Sequence, residues 1–197
     1  MLLGTPGRAL SGVASAVPAE GGGRAETREV LLFGSIDSDA SREVVERLIE
    51  LDQKAPGKEI DLLINSTGGS IGDARAIISV FQMIDSPVNT ICVGYAWSSA
   101  ATILAAGTGE RQAFEHGSLM IHELSWEDSG PITSLESTAR QGRRDNTVEL
   151  GLLAKFTGRS SEELAEFMYP DHYFTAAEAR DYGLVDAVLP ISAPRRR

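Results

Sequence analysis

From residue 29 onward, short unbroken apolar runs alternate with segments whose apolar residues return every three or four positions. EVLLFGSID (29–37) ends in turn residues and predicts a strand. DASREVVERLIELDQK (39–54) puts Val44, Val45, Leu48, Ile49 and Leu51 on one helical face, with Asp39 or Ser41 as candidate cap. IDLLIN (60–65) predicts a second strand, and the glycine turn STGGS leads from it into the helix-like IGDARAIISVFQMI (71–84). Next come the strand VNTICVGYA (88–96), the small-residue helix SSAATILAAG (98–107) and the strands RQAF (111–114) and LMIH (119–122). This alternation predicts an α/β fold, a parallel-rich sheet covered by helices and wound through right-handed crossovers.

Between residues 123 and 156 the pattern turns polar. SLESTARQGRRDNTVELGLLAKF (134–156) keeps helical periodicity but shows little apolar surface before Val148. A long polar helix of this kind projects from a compact body toward another chain or solvent. SSEELAEFM (160–168) opens with Ser160 against Glu163, and TAAEARDYG (175–183) with Thr175 against Glu178, both capping-box patterns. LVDAVL (184–189) predicts the last strand. Residues 86–109 carry no charge, long enough to invite a membrane span. Polar residues such as Asn89, Thr90, Ser98 and Ser99 interrupt them, and the pattern changes midway, so a buried strand followed by a buried helix is expected.

A chain of 197 residues fits one domain with a sizeable core, and 42% hydrophobic content is that of an ordinary globule. Eighteen basic against 28 acidic residues give a net charge of −10, which argues against nucleic acid or an anionic membrane as partner. Cys92 is the one cysteine, so no internal disulfide forms, and its apolar strand suits a small buried hydrophobe rather than a reactive thiol. Nothing here asks for an oxidising compartment, and a cytoplasmic location is expected. The start of the chain lacks a basic lead and a long apolar stretch. Its Gly, Ala, Ser and Pro content suggests a flexible leader over residues 1–27, ahead of a single domain at 28–191 and a short basic tail at 192–197.

The candidate chemistry centres on Ser98, at a strand-to-helix junction where free backbone N–H groups and the helix dipole favour developing negative charge. His122 closes an apolar run and Asp171 precedes HYFTAAEA, so serine, histidine and aspartate occur in an order able to form an activated nucleophile. Ser99 competes with Ser98, and His116 and His172 compete with His122; spacing alone does not separate them. NSTGGS (65–70) can aim backbone N–H groups at an oxyanion, or serve only as a tight turn. It is not a phosphate loop, since the GKS/GKT ending is absent, and no metal-ligand spacing occurs in the chain.

In order and spacing these motifs resemble the proteolytic subunit of the Clp protease, ClpP, over residues 29–189. INSTGGS stands for the family's INSPGGS, GYAWSSAA for its GQAASMGA, MIH matches, and DHYFTAAEARDYGLVD fits its D-x-[FY]-[FLM]-[ST]-A-x-E-A-x-x-Y-G-[LI]-[VI]-D pattern. The resemblance implies Ser98 as nucleophile, His122 as base and Asp171 as acid, with the backbone N–H groups of Gly69 and Ser99 as oxyanion donors. It implies a ClpP/crotonase-like fold of stacked ββα turns with a protruding handle helix at about 125–157. It further implies two stacked heptameric rings that enclose the active sites. An AAA+ unfoldase would deliver unfolded polypeptides and use the ATP, while this chain needs no cofactor and no metal.

The departures from the family carry information too. Tyr95 and Trp97 replace small or polar residues beside the nucleophile, and Ser99 and Ala100 replace Met and Gly. After His122 the chain reads Glu123, Leu124, Ser125, Trp126, Glu127 where the family has Gln-Pro-x-Gly-Gly, a strand that pairs with substrate backbone. Pro170 stands in place of an arginine that makes an inter-ring ion pair, and Asp61 and Leu63 in place of aromatics at the ATPase-docking pocket. Together these suggest an accessory paralogue working in mixed rings. Two rivals remain: a catalytically impaired subunit whose cleft Trp97 and Trp126 block, and a crotonase-type acyl-CoA hydratase or isomerase.

Overall fold

The computed structural model describes residues 27–125 and 129–192. The expectations for the leader up to residue 26, for Trp126 and Glu127, and for the terminal arginines lie outside the described residues. Strand β1 (Glu29–Ile36) pairs in parallel with β2 (Ile60–Gly69), and β2 in turn with β3 (Val88–Trp97). Between them run helices α1 (Ser38–Lys54) and α2 (Ile71–Phe81), which pack on each other. Helix α3 (Ser99–Ala105) follows β3 directly and packs on β2 and β3. Every residue of α3 is buried, which is why small side chains dominate it. The uncharged stretch is thus a strand buried mainly over Val88 to Cys92, with Tyr95 exposed, followed by a wholly buried helix; among the described residues no helix is long and apolar enough to cross a membrane.

Strand β3 serves two neighbours. Its first half, Thr90 to Cys92, pairs with β4 (Arg111–Phe114), and its second half, Tyr95 to Trp97, with β5 (Ser118–Ile121). On the far side of β4 lies β7 (Ala187–Leu189), also parallel. Strand β6 (His172–Thr175) adds to β5 antiparallel, so the sheet divides into two branches along β3. Alternating burial along β2 puts Ile60, Leu62 and Ile64 wholly inside, in one core cluster with Leu48 of α1 and Ile77 of α2. Each such aliphatic side chain contributes about 1.5–3 kcal/mol when fully removed from water.

Helix α4 (Ile132–Thr157) has 26 residues, and only Glu149 and Leu153 are buried, both near its C-terminal end. Its first half projects, as its polarity predicts, while its base meets α3 and α5 (Ser161–Phe167). Helix α6 (Ala176–Tyr182) starts on a complete Thr175/Glu178 capping box. Arg111 ties the lower edge together: it forks onto the Asp186 carboxylate at 2.5 and 3.0 Å and donates to the carbonyls of Phe156 and Gly183 at 2.9 and 3.0 Å.

Three local expectations are corrected. The cap of α1 is Asp37, whose carboxylate accepts from the N–H groups of Asp39 and Ala40, because the helix begins earlier than its first apolar residue suggests. At α5 only half the Ser160 box forms, since the Glu163 carboxylate goes to Arg159. And β2 does not end at Asn65. It runs through the glycines to pair Gly68 with Ser35 and Gly69 with Ile36, after a register shift that re-aims the chain.

Candidate active site

The turn from β3 into α3 holds Ser98 at φ 55°, ψ −130°, the one non-glycine with positive φ among the described residues. Such a backbone is held at a cost of about 1–3 kcal/mol and persists only where its surroundings impose it. Two neighbours do so here. The Ser98 N–H donates to the Met120 carbonyl of β5 at 2.8 Å. On the other side Gly68 lies so close that a Cβ there would meet Ser98 Cβ and the Trp97 carbonyl at 2.7 Å. Only glycine permits that approach. Ser98 makes no side-chain cap for α3, so its hydroxyl is left for other work.

His122 follows β5 by one residue, and its Nε2 lies 2.7 Å from Ser98 Oγ. The two β5 neighbours explain the placement. Parallel pairing of Trp97 with Met120 brings the end of β5 beside the β3 turn. Antiparallel pairing of Ile121 with His172, carried one step further, sets His122 opposite Asp171. Asp171 Oδ1 then lies 3.8 Å from His122 Nδ1, an ion-pair distance rather than a hydrogen bond, and the Asp171 side chain is 56% exposed. The Glu123 N–H, bonded to the Met168 carbonyl at 2.9 Å, anchors the chain just past the histidine.

The other histidines go elsewhere. His116 sits exposed at the opposite end of β5, 3.3 Å from the Val93 carbonyl. His172 lays its ring against Phe167 and Phe174, with centroids 4.7 and 4.5 Å away. Ser99 is buried and points at β2: its Oγ accepts from the Gly69 N–H at 3.0 Å and lies 3.3 Å from the Gly69 carbonyl. The Gly69 amide is therefore capped by a neighbouring hydroxyl. Gly69 itself has no room for a side chain, since a Cβ would fall 2.3 Å from the Ile36 carbonyl.

Beside the serine, Trp97 packs at a tilt of 51° against Tyr95 (4.6 Å) and meets the edge of Tyr173 (5.6 Å), and its indole N–H donates to Ser118 Oγ. Cys92 is buried and desolvation raises its pKa to about 11, so it is a structural thiol. Among the described residues no group of three or more His, Cys, Asp or Glu side chains could hold a metal ion.

One part of the site escaped the sequence reading. Glu149 is 5% exposed and lines the cleft next to Ser98 and His122 together with Thr102, whose hydroxyl donates to its carboxylate. The signal was a charged residue one helical turn before Leu153, on the apolar face of an otherwise polar helix.

A family model described as Clp protease matches residues 23–192. The ATP-dependent Clp protease proteolytic subunits 3 and 2 of Frankia casuarinae are 37% and 36% identical over 163 residues, 82% of this chain and 76% and 75% of theirs.

Proposed function

The chain belongs to the Clp protease family, and from that premise we propose that it is a serine endopeptidase subunit of a self-compartmentalising Clp protease. The observation that carries this reading is the 2.7 Å contact between His122 Nε2 and the hydroxyl of a strained, uncapped Ser98. Ser98 Oγ attacks the peptide carbonyl carbon while His122 Nε2 takes its proton. The C–N bond then breaks as His122 returns the proton to the leaving amine, and water, deprotonated by the same nitrogen, hydrolyses the acyl-enzyme. Asp171 stabilises the imidazolium across the 3.8 Å gap. The N–H groups of Gly69 and Ser99 receive the oxyanion, and Gly69 must first exchange its bond from Ser99 Oγ, a net change of about 1 kcal/mol.

The working unit is a single domain over residues 28–191. It assembles as two stacked heptameric rings, with the projecting half of α4 as the handle between them. An AAA+ unfoldase in the cytoplasm feeds it unfolded polypeptide and consumes the ATP, and this chain uses no cofactor of its own. Pro170 at the inter-ring position, and Asp61 and Leu63 at the docking pocket, support an accessory role in rings mixed with a more standard subunit.

A fluorophosphonate probe, which phosphonylates activated serines, tests the core of the proposal. The probe is expected to label Ser98 in the purified chain, and Ser98→Ala is expected to abolish both label and peptide hydrolysis. Undiminished labelling of Ser98→Ala would move the nucleophile elsewhere. Native mass measurement, alone and with a second subunit, tests the assembly; an active homotetradecamer indifferent to the second subunit would remove the mixed-ring part.

A further inference from the structure

Between α4 and the residues that follow His122 lies a groove of about 510 Å³. On the α4 side the small residues Ala139 and Gly142 leave space that larger side chains would fill. Its volume falls in the range of ligand pockets, about 300–1,000 Å³, with room for a side chain and its backbone. Leu124 borders both this groove and the small cleft that holds Ser98 and His122, so the two spaces adjoin. Along the chain Leu124 is at most about 7 Å past His122. The α4 wall carries charge that nothing answers. Among the described residues the other arginines donate to a carboxylate or a backbone carbonyl, as Arg75 does to Asp145 and Arg111 to Asp186. Arg140, Arg143 and Arg144 form no hydrogen bond or ion pair among those residues, in a chain with 28 acids. Spaced i, i+3 and i+4, they share one exposed face of α4, and Arg143 also lines the groove. Glu123, the acid that lines the groove, does not pair with Arg143; it also borders Leu150 and Met168, toward the base of α4.

We infer that this groove receives substrate polypeptide beside the scissile bond and that Arg143 selects an acidic side chain there, aspartate or glutamate. The inference rests on Ser98 being the nucleophile. Adjacency to Ser98 through Leu124 favours substrate over a second subunit as the occupant. A guanidinium is charged at every working pH, and its fork offers a carboxylate two parallel N–H donors. Here the fork has no internal acid bound to it, so a substrate carboxylate gains a partner without displacing one. Leu124 and Leu135 give the methylenes of the side chain an apolar surface to lie on. A lysine would meet like charge from Arg143, with Arg140 and Arg144 on the same face adding to it. Because Arg143 is exposed, the preference is about 3- to 10-fold, between a solvated ion pair and a charge-assisted hydrogen bond. The contact lies away from the reacting atoms, so the effect falls on KM rather than kcat.

Fluorogenic peptides that differ only by Glu, Gln or Lys at one position, scanned over about three residues on each side of the cleaved bond, read this in the assembled protein. At one position or more, Glu is expected to exceed Gln by about 3- to 10-fold in kcat/KM, with kcat unchanged. The gap is expected to shrink at about 1 M salt, where screening reaches about 3 Å. Arg143→Gln is expected to bring the Glu-to-Gln ratio to about one, Arg143→Lys to keep part of it, and Arg143→Glu to favour the Lys peptide. The ratio within each variant is its own control for folding, and the wild-type scan decides even where a variant fails to fold. A wild-type scan with no Glu preference at any position overturns the inference. So does a preference that Arg143→Gln leaves intact, whether all peptides slow uniformly or the native mass changes, since the arginine would then serve α4 or a contact between subunits. Labelling of Ser98 by the fluorophosphonate without any Glu preference removes this inference alone. Absence of all labelling in the wild type removes the proposed nucleophile with it.

Discussion

Replacing Asp171 by asparagine asks how the third member of the site acts on His122. Its carboxylate oxygen stands 3.8 Å from Nδ1, and the side chain is more than half exposed. In the proposed mechanism Asp171 would therefore act on the His122 imidazolium as a screened charge, not as a hydrogen-bond acceptor. Two unit charges about 4 Å apart are worth about 1 kcal/mol in water and about 4 kcal/mol at an effective dielectric of 20. The exposure places this pair toward the aqueous limit, about 1–2 kcal/mol, or about 5- to 30-fold in rate. A fully hydrogen-bonded aspartate in such a triad is worth about 10⁴-fold. The assay is kcat/KM for a fluorogenic peptide, with the rate of Ser98 phosphonylation beside it, at low salt and at about 1 M salt, where screening reaches about 3 Å. Asp171→Asn is expected to lose about 5- to 30-fold at low salt and less at high salt. A loss near 10⁴-fold, indifferent to salt, would refute this reasoning and require the carboxylate to close onto Nδ1 in the working particle.

Ser99→Ala should retain the Ser98 label and raise peptide hydrolysis about fivefold, because it frees the Gly69 N–H from a bond worth about 1 kcal/mol; a fall of more than tenfold contradicts this. Arg111→Ala is expected to lower stability by about 2–3 kcal/mol in urea unfolding, since it removes a charged fork and two further carbonyl bonds; a change under about 0.5 kcal/mol would show the hub is idle. Burial pushes the Asp186 carboxyl up, but the Arg111 hydrogen bonds outweigh it and hold the pKa below the ordinary carboxylate range. The stability gap between wild type and Asp186→Asn should therefore be full above about pH 4 and shrink as pH falls through the depressed folded value; a gap that widens in acid contradicts the sign. The Cys92 thiol, raised to about 11, should resist a disulfide reagent at neutral pH until the chain unfolds, and reaction at the rate of a free thiol would place it outside the core.

Much of the fold was legible in single segments. The 29–37 and 60–65 runs are strands and the Thr175/Glu178 box starts a helix, because apolar period and capping depend on residues a few positions apart. The uncharged stretch divides into strand and helix where its composition changes, at the β3–α3 junction. Less legible were the boundaries that neighbours decide. Strand β2 continues through Gly68 and Gly69 because β1 offers partners there, which its own sequence does not announce. The Ser160 box loses its second half because Arg159 competes for Glu163.

Within the site, residue types and chain order could nominate Ser98, His122 and Asp171, but not choose His122 over His116 or His172. That choice is made by strand register: β5 pairs with β3 on one edge and β6 on the other, so the residue just past β5 meets both the Ser98 turn and Asp171. The Ser99 cap on Gly69 and the Glu149 carboxylate near Ser98 depend likewise on contacts between residues 30 and more than 40 positions apart. Local chemistry along the chain therefore determines which elements form and which reactive groups are present. Distances between those groups, and the charge each one faces, arise only when non-local pairing brings separate elements together, since hydrogen bonds and Coulomb forces act through space rather than along the backbone.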